Sequence, residues 1–214
     1  GGSQALKAAT SGAADVVSGA YEHTIGLQAR GLAYQAFVLQ GRAPQIAMGV
    51  SPKTLPQYRQ LSDLKGRRIG VSAPGSSTNM VANLVLARAG IRPHEVQFVG
   101  VGTSAGALRA FRMGEIDALS NIDPVMTVLE KSGEIRIVSD TRTLKGTKDV
   151  FGGPMPAACL YAPQAFIERH PATCQALANG VVHALKWLQT AGPSDIIKAV
   201  PESYMLGDRG LYLA

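Results

Sequence analysis

Ala5-Leu6-Lys7-Ala8, followed by Gly12, Asp15 and Ser18, recurs 102 positions later as Ala107-Leu108-Arg109-Ala110, followed by Gly114, Asp117 and Ser120. Each copy reads as a short amphipathic helix, a glycine that stops it, an aspartate, and a strand (Val16, Val17; Ala118, Leu119) that ends in a polar turn. The second copy is preceded by a strand (Arg68 to Ser72), a helix (Ser77 to Ala89) and another strand (Val96 to Gly100). The first copy has no such unit before it. Two similar lobes are expected, and the first lobe is expected to lack an opening βαβ unit of roughly 35 residues. That makes the sequence a fragment of a longer protein, or one numbered from inside it.

The same alternation continues outward from the repeat. Tyr34 to Leu39 and Gln45 to Val50 read as strands, and Leu55 to Gly66, with Pro56 and a Ser62-Asp63-Leu64-Lys65-Gly66 turn, reads as a connection between lobes. A helix is expected from Asp123 to Lys131, a strand from Glu134 to Ser139, a polar segment from Asp140 to Gly153, and a strand from Ala157 to Tyr161. Two helices follow, the longer from Pro171 to Thr190, where Trp187 reads as packing against the sheet. The expectation is an α/β fold with mostly parallel sheets whose ligands bind at the carboxyl ends of the strands. Residues 1–55 and 154–214 form lobe 1 on this reading, 66–145 form lobe 2, and 56–65 and 146–153 are hinges.

Composition fits a two-lobed α/β protein. The 214 residues are 46% hydrophobic, 17% charged and only 6% aromatic, with 24 glycines. Every apolar run is broken well short of the roughly 20 residues a bilayer needs. The net charge of +6 raises the possibility of nucleic acid. Lys and Arg are scattered singly or in pairs, however, without a basic stripe or interleaved aromatics, so no nucleic-acid partner is expected. Cys159 and Cys174 have no metal-ligand spacing, and two independent buried thiols are expected in preference to a bridge. No signal peptide is present in these 214 residues.

Val71-Ser72-Ala73-Pro74-Gly75-Ser76-Ser77-Thr78-Asn79 leaves a strand, turns at Pro-Gly and enters a helix through consecutive hydroxyls. Free N–H groups and the helix dipole favour an anion there. The segment is either such a site or a plain N-cap, and it is not a nucleotide P-loop, because no Gly-Lys-Ser/Thr follows. Ser76, Ser77 and Thr78 are candidate contacts. Ser18-Gly19-Ala20-Tyr21-Glu22-His23-Thr24 makes a second polar turn, from which Tyr21 and His23 could line a cleft; His23 serves equally as a capping residue. Glu22 would repel an anion and is expected to face solvent in the first helical turn. Asn121 could donate an amide hydrogen bond. Asp123 before Pro124 reads first as a helix start. Gly152-Gly153-Pro154-Met155-Pro156 could bring backbone, including Pro156, close to a ligand or act as a hinge.

No catalytic constellation is visible. Gly-x-Ser-x-Gly, His-Glu-x-x-His and Cys-x-x-Cys are all missing, and His23, His94, His170 and His183 sit singly. The protein is expected to be a binder without cofactor or metal.

Leu64-Lys65-Gly66-Arg67-Arg68-Ile69-Gly70-Val71, Gly75-Ser76-Ser77-Thr78, Gly114-Glu115-Ile116-Asp117-Ala118 with Asp123-Pro124, and Ala184-Leu185-Lys186-Trp187 occur in that order across nearly the whole chain. In this set the sequence resembles the nitrate, sulfonate, taurine and thiamine-precursor branch of ABC-transporter solute-binding proteins, with the type 2 periplasmic binding fold. The resemblance implies two lobes closing on a small, anionic organic solute, an ABC permease as partner, and a monomer. It also implies a periplasmic location, or an extracellular, membrane-anchored one. By position it places Ser76, Ser77, Thr78, Asn121 and Asp123 in one lobe's contact set, and Tyr21 and His23 in the other's. Leu119 and Ile122 stand where the sulfonate-type pattern often has tryptophans, which separates this sequence from typical sulfonate and nitrate binders. Two alternatives share the fold: a pyrimidine-synthase-like enzyme, and the ligand-sensing domain of a transcription regulator.

Overall fold

The computed structural model describes residues 2–213. The chain divides into two compact units, Gly1–Pro44 with Pro154–Ala199 and Gln45–Gly153 with Val200–Ala214. The first unit opens with α1 (Gly2–Thr10), β1 (Val17–Ala20), α2 (Glu22–Gln28) and β2 (Tyr34–Leu39). The second holds β3 (Ile46–Val50), β4 (Arg68–Val71), α3 (Ser77–Ala87), β5 (Gln97–Gly100), α4 (Ala105–Arg112), β6 (Ala118–Ile122), α5 (Val125–Lys131), β7 (Arg136–Asp140) and α6 (Leu144–Phe151). The chain then returns to the first unit for β8 (Ala158–Pro163), α7 (Gln164–Arg169), α8 (Pro171–Leu188) and α9 (Pro193–Ala199), and α10 (Arg209–Leu213) follows in the second.

The repeat folds as the same αβ unit twice. Gly12 ends α1 at φ +77° and Gly114 ends α4 at φ +72°. After each glycine the next N–H closes on an equivalent helical carbonyl, Ala13 on Ala8 at 2.8 Å and Glu115 on Ala110 at 2.9 Å. Only glycine takes this left-handed turn without a steric cost. The two copies differ at their aspartates. Asp15 is exposed, whereas Asp117 is buried beneath the guanidinium of Arg68, with Arg68 Nη2 2.9 Å from Oδ1 and both Nε and the backbone N–H on Oδ2. Burial alone would raise the Asp117 pKa; the bonds from Arg68 outweigh it and hold the carboxyl below its ordinary value.

One sheet is antiparallel and the other mixed, where the alternation of elements suggested mostly parallel ones. In the first unit the order is β1-β8-β2, and both pairings are antiparallel. In the second the order is β5-β4-β6-β3-β7; β4 is parallel to β5 and β6, and β3 is antiparallel to β6 and β7. All five residues of β3 are buried. Ile46, Met48 and Val50 join one core with Ile69, Val81 and Leu86, while Ala47 joins Phe111, Ile116 and Leu119 on the opposite face. A strand covered on both faces reads as a continuous apolar run, as Ile46-Ala47-Met48-Gly49-Val50 does.

The pairing of β3 redraws the expected boundaries. Residues 45–55 lie in the second unit rather than the first, and so does the tail from Val200, which buries Met205 and packs Leu206 against the core that holds Ala47 and Phe111. Residues 56–65 and 146–153, read as hinges, both lie inside the second unit; the chain passes between units at Pro44–Gln45, Gly153–Pro154 and Ala199–Val200. The segment read as polar connection contains α6, started by Thr143, whose hydroxyl accepts the Gly146 N–H at 3.0 Å. Trp187 remains 40% exposed, and the buried residue of α8 is Cys174.

Candidate functional site

In the second unit, the loops that leave β4, β5 and β6 meet at the carboxyl ends of these parallel strands. Ser120 Oγ donates to the Thr78 carbonyl at 2.8 Å, tying β6 to the start of α3, and Asn121 Nδ2 donates to the Gly102 carbonyl at 2.9 Å, tying β6 to the loop after β5. Asn121 is wholly buried, and its Oδ1 also accepts the Ile122 N–H, so its side chain braces the loops.

At the start of α3 the hydroxyls divide into two roles. Ser72, Ser76 and Thr78 form a closed triangle with sides of 2.9, 2.9 and 2.8 Å. Ser72 donates to Ser76, Ser76 to Thr78 and Thr78 back to Ser72, which uses all three hydroxyl protons. The ring also accepts two backbone N–H groups, Ser72 on Thr78 at 2.8 Å and Asn79 on Ser76 at 3.4 Å. Ser76 and Thr78 are accordingly buried, and they build the turn. The Ser77 hydroxyl makes no hydrogen bond among the described residues, and the backbone N–H groups of Ser77 and Thr78 meet no carbonyl there. Gly75, at φ +77°, makes the turn that presents them, with its N–H on Asn79 Oδ1. Three donors at the positive end of an eleven-residue helix suit an anion.

Asp123 starts α5 from one residue further back than the sequence suggests. Its Oδ1 accepts both the Thr127 N–H at 3.0 Å and the Thr127 hydroxyl at 2.7 Å, and Arg142 reaches it at 3.5 Å. Arg142 also pairs with Glu130 at 2.9 Å and Asp140 at 2.8 Å. Sequence reasoning missed this cation altogether, because its partners are scattered over three elements.

In the first unit, Tyr21, His23 and Pro156 come to the carboxyl end of β1. The Tyr21 N–H donates to the carbonyl of Ala157, the residue after Pro156, at 2.9 Å. His23 is buried, with Nδ1 3.0 Å from the Tyr161 hydroxyl. Gly19 makes room for that phenol: a Cβ there would lie 3.3 Å from the Tyr161 oxygen and 3.1 Å from Val17. Burial lowers the His23 pKa and raises that of Tyr161, and it pushes the Cys159 thiol up to about 11. His23 Nε2 and Glu22 Oε1 are both buried and have no hydrogen-bond partner among the described residues. Glu22, expected to face solvent, thus has one oxygen turned inward. Orphaned polar atoms of this kind cost about 1–3 kcal/mol each.

Cys159 and Cys174 are free thiols. Among the described residues no three His, Cys, Asp or Glu side chains gather as a metal site, and no helix is long and apolar enough to cross a membrane.

Two α/β units, one built on an antiparallel sheet and the other on a mixed one, have the periplasmic binding protein fold, and solved structures bear this out. The periplasmic aliphatic sulphonate binding protein SsuA of Escherichia coli matches with a TM-score of 0.63 at 23% identity, over 88% of this chain and 61% of its own. The alkanesulfonate-binding protein SsuA of Xanthomonas axonopodis pv. citri, bound to MOPS, matches at 0.67 and 22%, over 99% and 71%. A protein of Bordetella bronchiseptica RB50 matches at 0.95 with 61% identity, over 99% of this chain and 67% of its own. The chain thus spans about two thirds of the length of these proteins. No curated protein matches it. The NMT1-like family model matches residues 2–200, and the chain belongs to the NMT1-like family.

Proposed function

We propose that the chain is the larger part of an extracytoplasmic solute-binding protein of an ABC importer, and that it holds the anionic group of a small organic solute at the start of α3. The carrying observation is the division of labour there. A self-satisfied ring of Ser72, Ser76 and Thr78 sets the turn, while the Ser77 hydroxyl and the N–H groups of Ser77 and Thr78 have no partner among the described residues. Such donors select a negative charge without supplying a fixed positive one, so the solute is held reversibly and released. The E. coli and Xanthomonas proteins are named for sulfonates, which makes these the first anions to test, and the absence of the sulfonate-type tryptophans at Leu119 and Ile122 makes carboxylates the necessary comparison. Asp123 accepts from Thr127 and shares Arg142 with Glu130 and Asp140, so its carboxylate serves the start of α5. Tyr21, His23 and Pro156 form the first unit's contact set. The solute's differential affinity for a closed state is the signal that the permease reads.

The reading is tested by calorimetric titration of the purified protein with short alkanesulfonates and the matching carboxylates. A bound anion at 100 times its Kd raises stability by about 2.7 kcal/mol, which a melting experiment registers independently. Neither heat nor a melting shift with any of these anions would sink the proposal.

A further inference from the structure

Strand β6 carries two polar side chains into the interior of the second unit at its carboxyl end. Ser120 and Asn121 are each 0% exposed, between Leu119 and Ile122. Successive strand residues point to opposite faces, so the pair reaches two different segments. Ser120 leaves on the face of Ala118, against α3, and bonds to the Thr78 carbonyl at 2.8 Å; Asn121 leaves on the face of Leu119 and bonds to the Gly102 carbonyl at 2.9 Å. Gly102 in turn donates its N–H to the Ser72 carbonyl at 3.1 Å, and Val101 donates to the Val71 carbonyl at 2.9 Å, so the loop after β5 is laid along the end of β4. Gly100 brings that loop onto the α3 turn itself: a Cβ there would stand 3.3 Å from Pro74 Cδ. The path from Asn121 therefore ends, through Gly102 and Ser72, on the hydroxyl ring, while Ser120 grips the residue that follows Ser77.

Polar side chains in a strand interior are costly unless their bonds are made, and here every bond named runs toward the turn or the loop beside it. We infer that Ser120 and Asn121 are positioning residues for the anion: from opposite faces of β6 they hold the α3 turn in the arrangement that presents the Ser77 hydroxyl and the N–H groups of Ser77 and Thr78. The inference rests on the anion-binding reading above and deepens it. Donors fixed before the anion arrives cost no ordering when it binds. Where the turn is released and the competent arrangement falls to a fraction of the population, the apparent Kd rises by the inverse of that fraction.

Titration calorimetry of the purified protein with 1-butanesulfonate and with pentanoate, well below the Tm of each variant, tests it. Ser120→Ala and Asn121→Leu should each raise Kd by about two- to tenfold, the equivalent of one hydrogen bond, although neither side chain touches the anion. Asp117→Asn is the control: it stands before β6, at the other end of the strand, and should lower Tm while leaving Kd unchanged. In a Ser77→Ala background the effect of Ser120→Ala should shrink, because both changes act on the same donor. Native affinity in Ser120→Ala and Asn121→Leu, an equal loss in Asp117→Asn, or full additivity with Ser77→Ala overturns the inference and leaves the anion reading standing. If Asn121→Leu does not fold, Ser120→Ala against Asp117→Asn decides alone. A native protein that binds neither anion overturns both.

Discussion

Replacing Thr78 by Val keeps the shape of a side chain that is 3% exposed and removes the oxygen that closes the hydroxyl ring. That oxygen accepts the Ser72 N–H at 2.8 Å and lies 2.8 Å from Ser76 Oγ and 2.9 Å from Ser72 Oγ. Two donors, the Ser72 N–H and the Ser76 hydroxyl, lose their acceptor. At about 1–3 kcal/mol for each unsatisfied buried group, and with Ser72 only half-buried, the expected loss is about 2–4 kcal/mol. For a chain of this size 1 kcal/mol moves Tm by about 2–4 °C, so the second unit should melt roughly 5–15 °C lower. Ser77→Ala removes a hydroxyl with no partner in the fold and should change stability by less than about 0.5 kcal/mol. It should weaken an alkanesulfonate by about 1.5–3 kcal/mol, roughly ten- to a hundredfold in Kd, because a hydroxyl bonding to a charged oxygen is lost. Differential scanning calorimetry and titration calorimetry on the two variants read these effects separately. If Thr78→Val melts with the native protein, or if Ser77→Ala binds sulfonate as the native protein does, the division of the hydroxyls into a structural ring and a ligand-facing donor is wrong.

Three further outcomes follow from other parts of the fold. His23 is held neutral by burial, so its folded pKa lies below the unfolded value of about 6.5. The unfolded chain therefore gains a proton first as the pH drops, and stability falls from about pH 6.5 downward until the folded pKa is passed; His23→Gln should flatten this part of a Tm-against-pH curve, and an unchanged slope would remove His23 as its cause. Asp117→Asn leaves Arg68 without its bidentate partner, and because Arg68 is 40% exposed the cost should be only about 1–3 kcal/mol, seen as a lower urea midpoint at constant m. Gly75→Ala meets no atom within 4 Å but must adopt φ +77°, so it should cost about 1–2 kcal/mol from backbone strain alone, and a larger loss in thermal unfolding would point to a clash.

The repeat made the αβ units legible because each is local: a helix, a stopping glycine and a strand lie within twenty residues of one another, and the chain alone determines them. Strand pairing is not local, and there the sequence reading failed. Ile46 to Val50 was assigned to the first unit by its place in the chain, yet its partners are Ala118 to Ile122 and Arg136 to Asp140. One signal was available, since a run without alternation marks a strand covered on both faces, and the five-stranded sheet offers such a position. The turn at Ser76 to Thr78 was found, but the third member of its ring, Ser72, was not singled out, although Ser-x-x-x-Ser-x-Thr across a strand end places three hydroxyls on one turn. The His23 contact with Tyr161 spans 138 positions and left no local mark. Arg142 lies only 2, 12 and 19 positions from its carboxylate partners, but nothing in that spacing marks a shared cation, and α6 was hidden by polar composition despite its threonine cap.

The two αβ copies also explain why the electrostatics of the two units differ. Each delivers a carboxylate just beyond its strand, Glu22 after β1 and Asp123 after β6. In the second unit Arg142 reaches Asp123 at 3.5 Å while holding Glu130 at 2.9 Å and Asp140 at 2.8 Å, so one guanidinium is shared among three carboxylates. The first unit has no such cation at Glu22 among its described residues, and what lies beside the carboxylate is an imidazole that burial keeps neutral. One local design thus sets its carboxylates in different surroundings, sharing a guanidinium in the second unit and half-buried without an ion pair among the described residues in the first. Introducing the missing cation should show the difference. An Ile25→Arg substitution, at a position 53% exposed and three residues beyond Glu22 on α2, would place a cation one turn from the carboxylate and should raise stability by about 0.2–0.5 kcal/mol, seen as a small rise in Tm that added salt removes; no salt-sensitive gain would refute the pairing.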